Sequence, residues 1–308
     1  MKRMSETQIQ KHMKSIDARR KILANGVESV CKGFSTALFV WGPGGLGKSH
    51  VLREMLEGVS GTAWRHHTAH STPKALFLSL LNDQTAVHLY EDCEKILKTD
   101  LSASILRAAC GAPDQRERLI TYETNTEKLR LKFTGGIIFA TNENLSRING
   151  PMQAVASRFR PIKWDMTLEE RIACILTIAK RPTTRNGILL DAKECTKVAN
   201  ELVDMTTDST GSVDLDLRLF CEHALPAYAQ AKQTPGMKWK DLLQAKLIGC
   251  ATTMDDTQTE RTRKLQQLAQ KIDREGGSAK EKLAKWKKET ELGQAIYYRH
   301  LKAGKAGK

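Results

Sequence analysis

The sequence lacks the features of membrane, secreted and fibrous proteins. No apolar run approaches the roughly 18 residues of a membrane-spanning helix, and residues 1–10 are polar and charged, so we expect neither a membrane span nor a secretory signal. The seven cysteines include no C-x-x-C pair, which predicts reduced thiols in a cytoplasmic protein and no structural zinc site. With only 21 glycines and 8 prolines in 308 residues, and 40% hydrophobic residues, the chain is neither collagen-like nor wholly disordered.

Positive charge is concentrated at the two ends of the chain. The sequence has 49 Lys and Arg against 35 Asp and Glu, a net charge of +14. Residues 1–36 contribute eight basic and three acidic side chains and residues 256–308 contribute fourteen and seven, whereas the 27 basic and 25 acidic side chains between them nearly cancel. Basic ends on a near-neutral body indicate a polyanionic partner, nucleic acid ahead of a membrane surface, although surface charge also serves solubility.

The first half of the chain alternates between helical patterns and short apolar runs. Residues 5–30 repeat apolar side chains at steps of three, four and seven, which predicts a helix that ends at Gly33. Continuous apolar runs predict strands buried on both faces, at 36–41, 86–90, 136–140 and 162–164. Helices are expected between them, at 50–56, 73–82 and 94–110. This alternation predicts an α/β fold with a largely parallel sheet.

From residue 167 onward the sequence predicts helices only. They cover 167–180, 191–206, 213–231 and 238–248, with no strand expected between them. Two more helices are expected over 257–302, and Ser278 with Glu281 forms a capping box for the second one. The expected domains are a basic N-terminal helix, an α/β domain, a small all-helical domain and basic C-terminal helices, at 1–34, 35–165, 166–250 and 251–308 respectively.

Residues 42–49 match the phosphate-loop pattern G-x-x-x-x-G-K-[ST] in full, directly after a predicted strand and before a predicted helix. Glycines let consecutive backbone N–H groups and the helix N-terminus face the phosphates of a nucleotide. Lys48 is expected to reach the β- and γ-phosphates of ATP, and the Ser49 hydroxyl to bind Mg²⁺. The nucleotide-binding set is Gly42, Pro43, Gly44, Gly45, Leu46, Gly47, Lys48, Ser49 and His50.

Two acidic residues follow the predicted strand 86–90, where a phosphate-loop enzyme needs one acid for magnesium and one for water. We assign Glu91 to Mg²⁺ and Asp92 to polarising the attacking water. The usual order is Asp then Glu, and the shorter Asp92 side chain is expected to slow hydrolysis. In an alternative register, Asp92 binds magnesium and Glu94 is the base.

Other polar residues are expected to complete a nucleotide site. Asn142 follows the strand 136–140, and its amide can hold the attacking water, although Asn also caps loops. Arg158 ends a predicted helix, where it can reach the nucleotide of a neighbouring subunit. Arg158 and the nearby Arg160 would also suit the dipole of that helix. Arg218 lies in the predicted helix 213–231, from which it can contact the nucleotide; it can equally be an ordinary helical arginine.

These motifs, in this order, resemble those of the AAA+ ATPases over residues 35–250. The matching features are the Walker A loop at 42–49, the Walker B pair at 91–92, sensor 1 at Asn142, the arginine finger at Arg158 and sensor 2 at Arg218. The resemblance implies a P-loop NTPase core with a helical lid, ATP and Mg²⁺ as cofactors, and a homo-oligomer, commonly a hexameric ring or spiral, that hydrolyses ATP between subunits. The chain also resembles uncharacterised ATPases of phages and mobile elements, which implies a bacterial or phage-infected cytosol.

Two segments of the predicted α/β domain are candidate contacts to a polymer. Residues 119–123 and 129–133 predict a β-hairpin, which resembles one that touches DNA in helicase-like members; a plain sheet extension is the alternative. Residues 64–70 lie where the family carries a central-pore loop, so Trp64 and Arg65 are candidate DNA contacts. A plain surface loop is the alternative for residues 64–70. A zinc site formed by His66, His67 and His70 is a further alternative, but the sequence has no nearby acid or Cys at fixed spacing to complete it.

The predicted C-terminal helix combines lysines with aromatic side chains. Its apolar residues can pack onto the body while the lysines face solvent, and contacts from them to DNA phosphates would be independent of sequence. A solvated amphipathic helix is the alternative. The candidate DNA contacts are Lys282, Lys285, Lys287 and Lys288.

The sequence therefore predicts an oligomeric, cytoplasmic AAA+ ATPase that couples ATP hydrolysis to work on DNA, such as replication, helicase loading, transposition or phage DNA processing. One alternative is a protein-remodelling ATPase whose pore loop holds a peptide. Another is an ATP-dependent assembly switch with little turnover, which the order Glu91-Asp92 favours.

Overall fold

The chain divides into two compact units. One comprises Met1–Thr210 with Asp214–Gln233, and the other comprises Gly211–Val213 with Thr234–Lys308. The computed structural model describes residues 4–68, 72–93, 95–111, 117–124, 126–144, 153–208, 215–243, 265, 268–273, 275, 278–290 and 297–298.

The first unit alternates helices and strands. Its helices are α1 (Glu6–Cys31), α2 (Lys48–Gly58), α3 (Pro73–Asn82), α4 (Asp100–Ala109), α5 (Gln153–Ala156), α6 (Leu168–Ile178), α7 (Ala192–Asp208) and α8 (Leu225–Gln233). Its strands are β1 (Ala37–Trp41), β2 (Trp64–Thr68), β3 (Val87–Glu91), β4 (Arg118–Glu123), β5 (Lys128–Phe133), β6 (Gly136–Thr141), β7 (Arg160–Lys163), β8 (Thr183–Arg185) and β9 (Ile188–Leu190). A 3₁₀ turn covers Ile96–Lys98, and a π-helical turn at Leu219–Ala224 leads into α8.

Five strands form one parallel sheet in the order β2-β3-β6-β1-β7. The predicted α/β class with a parallel sheet is confirmed, and the architecture is compatible with a Rossmann-like or P-loop core. Because all five strands run in the same direction, their carboxyl ends meet at one edge of the sheet, where α/β proteins bind ligands. None of the helices that the structure describes is long and apolar enough to cross a membrane.

Alternation along β1 divides the core into two layers. Ala37 and Phe39 face one side of the sheet and pack among residues of α3, α4 and the β4–β5 hairpin. Leu38 and Val40 face the other side and pack among residues of α1 and α2. A strand buried on both faces requires the continuous apolar sequence that β1 has.

Helix α1 packs onto the body of the first unit through its apolar face, which includes Ile16, Leu23 and Val27. Two of its basic residues make ion pairs with neighbouring helices. The Nη2 of Arg19 lies 2.6 Å from the Glu170 carboxylate on α6, and the Nη2 of Arg20 lies 3.1 Å from the Glu54 carboxylate on α2. Part of the N-terminal positive charge is therefore neutralised within the chain.

Residues 64–70, expected to be a central-pore loop or alternatively a surface loop, are not a loop over their first five residues. Trp64–Thr68 forms β2, the edge strand of the parallel sheet, paired with β3 from Trp64↔Val87 to Thr68↔Glu91. The pore-loop hypothesis for Trp64 and Arg65 fails for the same reason, since both residues are part of the sheet. Residues 69–71, including His70, lie outside the described residues.

The predicted all-helical domain contains a β-hairpin. Strands β8 and β9 pair in antiparallel fashion between α6 and α7, and the turn between them is Asn186-Gly187. Both turn residues have positive φ, 48° and 78°, which a type I′ turn requires and which Asn-Gly adopts readily. The expectation of helices without strands in this region is therefore wrong.

The predicted helix at 94–110 is interrupted near its start. A 3₁₀ turn at Ile96–Lys98 is followed by Thr99 in an extended conformation, and α4 begins only at Asp100. The Thr99 hydroxyl accepts a hydrogen bond from the Ser102 backbone N–H, so Thr99 acts as an N-cap and sets the new helix start.

The predicted hairpin at 119–133 is confirmed. Strands β4 and β5 pair in antiparallel fashion as a separate two-stranded sheet, not as an extension of the main one. Its inner face contributes Ile120, Leu131 and Phe133 to the core. The buried Arg118 guanidinium donates to backbone carbonyls of Ala109 (2.7 Å), Phe133 (3.3 Å) and Gly135.

In the second unit, residues 239–243 of the predicted helix 238–248 are helical, and residues 244–248 lie outside the described residues. Helix α9 covers Ala279–Thr290. The predicted capping box is confirmed: the Ser278 N–H donates to the Glu281 carboxylate at 2.7 Å, and the Glu281 N–H donates to the Ser278 hydroxyl at 3.4 Å. Trp286 and Tyr297 are buried together with Ile272, and their ring centroids lie 5.4 Å apart.

Candidate functional site

The glycine-rich segment at 42–49 links the carboxyl end of β1 to the first turn of α2. Gly47 is the N-cap of α2 and has a φ of 72°, a conformation that residues with a Cβ rarely adopt. Helix α2 starts at Lys48, so its free N–H groups face the loop, as they do in helix N-termini that bind phosphate. Ser49 and His50 occupy the first turn, with Ser49 half-buried and His50 exposed.

Lys48 is buried, and its ammonium lies inside the loop. Its Nζ donates to the backbone carbonyls of Gly42 (2.8 Å) and Pro43 (2.7 Å) and to the Oδ1 of Asn142 (2.9 Å). The carbonyl oxygens solvate the ammonium charge without neutralising it. The structure thus brings together Lys48 and Asn142, which the sequence analysis assigned to one site from positions 94 residues apart.

The Glu91 carboxylate lies at the carboxyl end of β3 and is 5% exposed. Its Oε2 lies 2.7 Å from the Nε2 of His66 on the neighbouring strand β2. Its Oε1 is buried and has no hydrogen-bond partner among the described residues. A buried carboxylate oxygen is costly to leave unpaired, so this atom is suited to a cation. The pairing with His66 was not foreseen from the sequence.

Asp92 leaves the strand in an unusual conformation. It has a φ of +52°, its side chain is exposed, and its backbone N–H donates to the Ala140 carbonyl on β6 at 3.2 Å. This bond ties the end of β3 to the end of β6, next to Asn142. Asp92 therefore follows the strand at the same edge of the sheet as Asn142, with an exposed side chain. Glu94, the base of the alternative register, lies outside the described residues.

The segment after residue 214 touches the tip of the phosphate loop. The backbone N–H groups of Leu217 and Arg218 donate to the Gly45 carbonyl at 3.1 and 3.3 Å. The Asp216 carboxylate packs against Gly45 so closely that a Cβ at Gly45 would overlap it. Arg218 itself is exposed, and its guanidinium lies 3.5 Å from the Glu222 carboxylate. Arg218 was predicted from the sequence to contact the nucleotide, whereas the contact of Asp216 with the loop was not predicted.

The two candidate arginine fingers lie in different elements. Arg158 is exposed in the turn after α5, where its backbone N–H donates to the Val155 carbonyl at 2.9 Å. Arg160 is the first residue of β7, opposite Leu38. The prediction that both arginines end one helix is wrong, because α5 stops at Ala156.

Trp64 and Arg65 make contacts within the chain. Trp64 is half-buried and packs against the core on the α1 side of the sheet. Arg65 makes a bidentate ion pair with Asp83, with Nε–Oδ2 and Nη2–Oδ1 distances of 2.9 and 2.8 Å. Their side chains are held at the sheet edge.

His67 forms a hydrogen-bonded pair with a second histidine. Its Nε2 lies 3.0 Å from the Nδ1 of His88, whose own Nε2 lies 3.0 Å from the Asp83 carbonyl. Because a carbonyl only accepts, His88 donates from Nε2, and His67 must then donate to the Nδ1 of His88. Burial, reinforced by His88, lowers the pKa of His67 to about 4, and burial also lowers the pKa of His88. The described residues contain no group of three or more metal-ligating side chains.

Two of the C-terminal lysines are paired within the second unit. Lys282 is 21% exposed and donates to the Asp273 carboxylate at 3.0 Å, and Lys285 donates to Glu275 at 2.8 Å. Lys287 is exposed, and the side chain of Lys288 lies outside the described residues.

A comparison with protein-family models finds no match, and a comparison with curated protein sequences finds no significant similarity.

Proposed function

We propose that this chain is an ATPase of the AAA+ type, which binds ATP and Mg²⁺ at the 42–49 loop, hydrolyses ATP in a homo-oligomer and uses the energy for work on DNA. One observation carries the proposal. The buried Lys48 ammonium, the Asn142 amide and the Glu91 carboxylate occupy the carboxyl ends of β1, β6 and β3, which are adjacent strands. That edge of a parallel sheet is the usual ligand site of α/β proteins.

The phosphate loop would hold the nucleotide through its backbone. N–H groups of the loop and of the first turn of α2 can donate to phosphate oxygens, and Lys48 supplies positive charge. Lys48 already has three oxygen partners. Phosphate oxygens would replace some of them, so the ammonium would not have to move to bind phosphate. This arrangement is electrostatically preorganised for a polyanion.

The donor set fits a magnesium ion. The unpaired Oε1 of Glu91 is a buried oxygen with unsatisfied acceptor capacity, and the Ser49 hydroxyl belongs to the first turn of α2. Oxygen donors of this kind suit Mg²⁺. When bound, Mg²⁺ neutralises charge on the β- and γ-phosphates. Glu91 and Ser49 would hold it.

Hydrolysis would depend on side chains at the ends of β3 and β6. Asp92 would accept a proton from the attacking water, and the Asn142 amide would orient that water. Arg158, exposed beyond α5, would reach the nucleotide of a neighbouring subunit in a hexameric ring or spiral and stabilise charge in the transition state. Arg218 would contact the nucleotide from the helical region.

DNA is favoured as the polymer by the distribution of charge. Lys11, Lys14 and Lys21 are exposed on α1, and none of them forms an ion pair within the described part of the chain. Lys287 is exposed on α9. Contacts from such lysines are electrostatic and sequence-independent. A peptide as the polymer has less support, because the aromatic and basic residues at 64–68 belong to a strand.

One observation favours a second function, an ATP-dependent assembly switch with little turnover. Glu91 is held by His66, and the candidate base is an aspartate at positive φ. A base with this geometry would support slow hydrolysis, in which case the ATP-bound form would be long-lived.

The test is to measure ATP binding and the ATPase rate of the full chain, without polymer and with double-stranded DNA, single-stranded DNA or unfolded protein, at two salt concentrations. Stimulation by DNA that weakens as salt rises supports the proposal. Stimulation by polypeptide alone contradicts the DNA role, and binding without turnover under any condition favours the switch.

Two variants test the site itself. Lys48→Ala should abolish ATP binding, whereas Lys232→Ala, which removes a lysine paired with Glu194 on α7, should not. Arg158→Ala should retain ATP binding and lose turnover. Normal ATP binding by Lys48→Ala would overturn the assignment of the phosphate loop, and unchanged turnover by Arg158→Ala would overturn that of the arginine finger.

A further inference from the structure

Trp164, the residue after β7, contacts the phosphate loop although it is not part of any nucleotide motif. Its side chain is 2% exposed, and its indole Nε1–H donates to the Leu46 carbonyl at 2.9 Å. Its backbone N–H donates to the Trp41 carbonyl, at the end of β1, at 2.8 Å. One residue therefore contacts both the strand end that leads into the loop and a residue near the end of the loop.

The start of the loop is also fixed by Trp164. Gly42 is buried, and a Cβ at this position would overlap the Trp164 carbonyl oxygen. On the other side, the Gly42 N–H donates to the Thr141 carbonyl at 3.3 Å. Gly42 is thus confined between the ends of β7 and β6, and only glycine permits this approach.

The hydrogen bond from the indole determines the direction in which the Gly47 N–H points. In a trans peptide the C=O and the following N–H point in opposite directions. When the Leu46 carbonyl is held towards Trp164, the Gly47 N–H must point away from Trp164. Leu46 is 1% exposed, so its carbonyl would be left buried and unpaired if the indole donor were removed.

We infer that Trp164 is a positioning residue for nucleotide binding: its indole N–H fixes the Leu46–Gly47 peptide and so holds the phosphate loop in the shape that receives phosphate. This inference depends on the proposed function, because it assumes that the loop binds a nucleotide. A merely structural alternative is that Trp164 only fills the core beside Val40 and Met166.

The variant Trp164→Phe separates these two roles. Phenylalanine fills much of the same space and cannot donate a hydrogen bond. The dissociation constant for fluorescently labelled ADP should rise about five-fold, the effect of losing one buried hydrogen bond in the binding-competent loop. The matched control is Trp286→Phe, which removes another fully buried indole, in the second unit. It should leave ADP affinity unchanged even where it lowers the melting temperature as much.

The outcomes of this experiment are distinct. Equal ADP affinity of wild type and folded Trp164→Phe would overturn the inference and leave the proposed function intact. Failure of the wild-type protein to bind ADP or ATP would overturn the proposed function itself. A loss of affinity in Trp286→Phe equal to that in Trp164→Phe would also overturn the inference, because the effect would then be one of general stability.

A second measurement covers the case in which Trp164→Phe does not fold. The chain has five tryptophans, and substitution of the other four by Phe, one at a time, identifies their indole N–H signals in a ¹⁵N correlation spectrum, leaving that of Trp164. Addition of ADP to the wild-type protein should shift this signal, because the nucleotide contacts the peptide that the indole holds. A signal unchanged at saturating ADP would overturn the inference.

Discussion

The Nζ of Lys48 and the Oδ1 of Asn142 lie 2.9 Å apart, across the gap between the phosphate loop and the end of β6. The contact couples the residue that would hold the phosphates to the residue that would orient water. Lys48 retains the Gly42 and Pro43 carbonyls if Asn142 is removed, so the two functions can be separated by substitution.

Asn142→Ala should preserve ATP binding and lower the turnover number by at least about ten-fold, since a preorganised polar contact to the reacting water is lost. Binding of labelled ATP and steady-state phosphate release measure the two quantities. Asn200→Ala serves as a control, because the Asn200 amide on α7 contacts only the Thr196 carbonyl among the described residues. A turnover number as high as that of wild type would show that Asn142 does not act on water.

Asp216→Asn should bind nucleotide more tightly, by roughly three- to ten-fold at low salt, because a carboxylate packed against Gly45 repels phosphate. Asparagine is as good an N-cap as aspartate, so the bond from the Leu219 N–H (2.6 Å) should survive. The gain should shrink as salt rises. Glu57→Gln removes the same charge from the last turn of α2 and should have a smaller effect. Weaker binding by Asp216→Asn would mean that the carboxylate supports the loop.

The sequence predicts the central strands of the sheet better than its edge strand β2. Strands β1, β3 and β6 are buried on both faces, and their largely apolar runs can be recognised from the sequence alone. Strand β2 is an edge strand of Trp-Arg-His-His-Thr, and its polar residues are accommodated by Asp83, His88 and Glu91, which are distant in sequence. The β8–β9 hairpin, in contrast, was detectable, because Asn186-Gly187 is a strong turn signal.

The candidate site is likewise only partly predictable from the sequence. Its phosphate loop and acidic pair form local motifs, so residue types and spacing were enough to identify them. The contacts of Trp164 with Leu46 and of Asp216 with Gly45 join residues more than 100 positions apart, and nothing local to either residue indicates them. The pairing of His66 with Glu91 likewise depends on the register between β2 and β3.

Stability should fall as the pH is lowered from about 6.5 towards 4, owing to the pair formed by half-buried His67 and buried His88. The ordinary histidine pKa is 6.5, whereas that of folded His67 is about 4. Between these values the unfolded chain binds a proton that the folded chain excludes, so acid favours unfolding. Urea unfolding at pH 7 and pH 5 measures the difference, and His67→Gln should reduce it. An equal difference in wild type and His67→Gln would assign the pH dependence to other groups.

Arg118→Leu should lower the free energy of unfolding by about 3 kcal/mol, because three buried backbone carbonyls lose their donor. Arg118→Lys should recover part of this, since one ammonium can satisfy only some of the carbonyls. Arg107→Leu, at an exposed position on α4, is the control and should change the free energy by less than about 0.5 kcal/mol. Urea unfolding measures all three variants. Equal losses for Arg118→Leu and Arg107→Leu would show that the carbonyl contacts contribute little.

Lysines of α9 should differ in their effect on DNA binding according to their partners within the chain. The Lys282 ammonium is held by both the carboxylate and the backbone carbonyl of Asp273, whereas Lys287 is exposed and forms no ion pair with any described residue. A lysine that neutralises a phosphate on duplex DNA contributes about 0.9 to the slope of log affinity against log salt. Lys287→Ala should reduce that slope by about this amount, while Lys282→Ala should leave it unchanged and lower the melting temperature. Fluorescence anisotropy with a labelled duplex at several salt concentrations gives the slope. An equal reduction by both variants would mean that the Asp273 pair opens when DNA binds, and an unchanged slope for both would exclude α9 from the DNA contact.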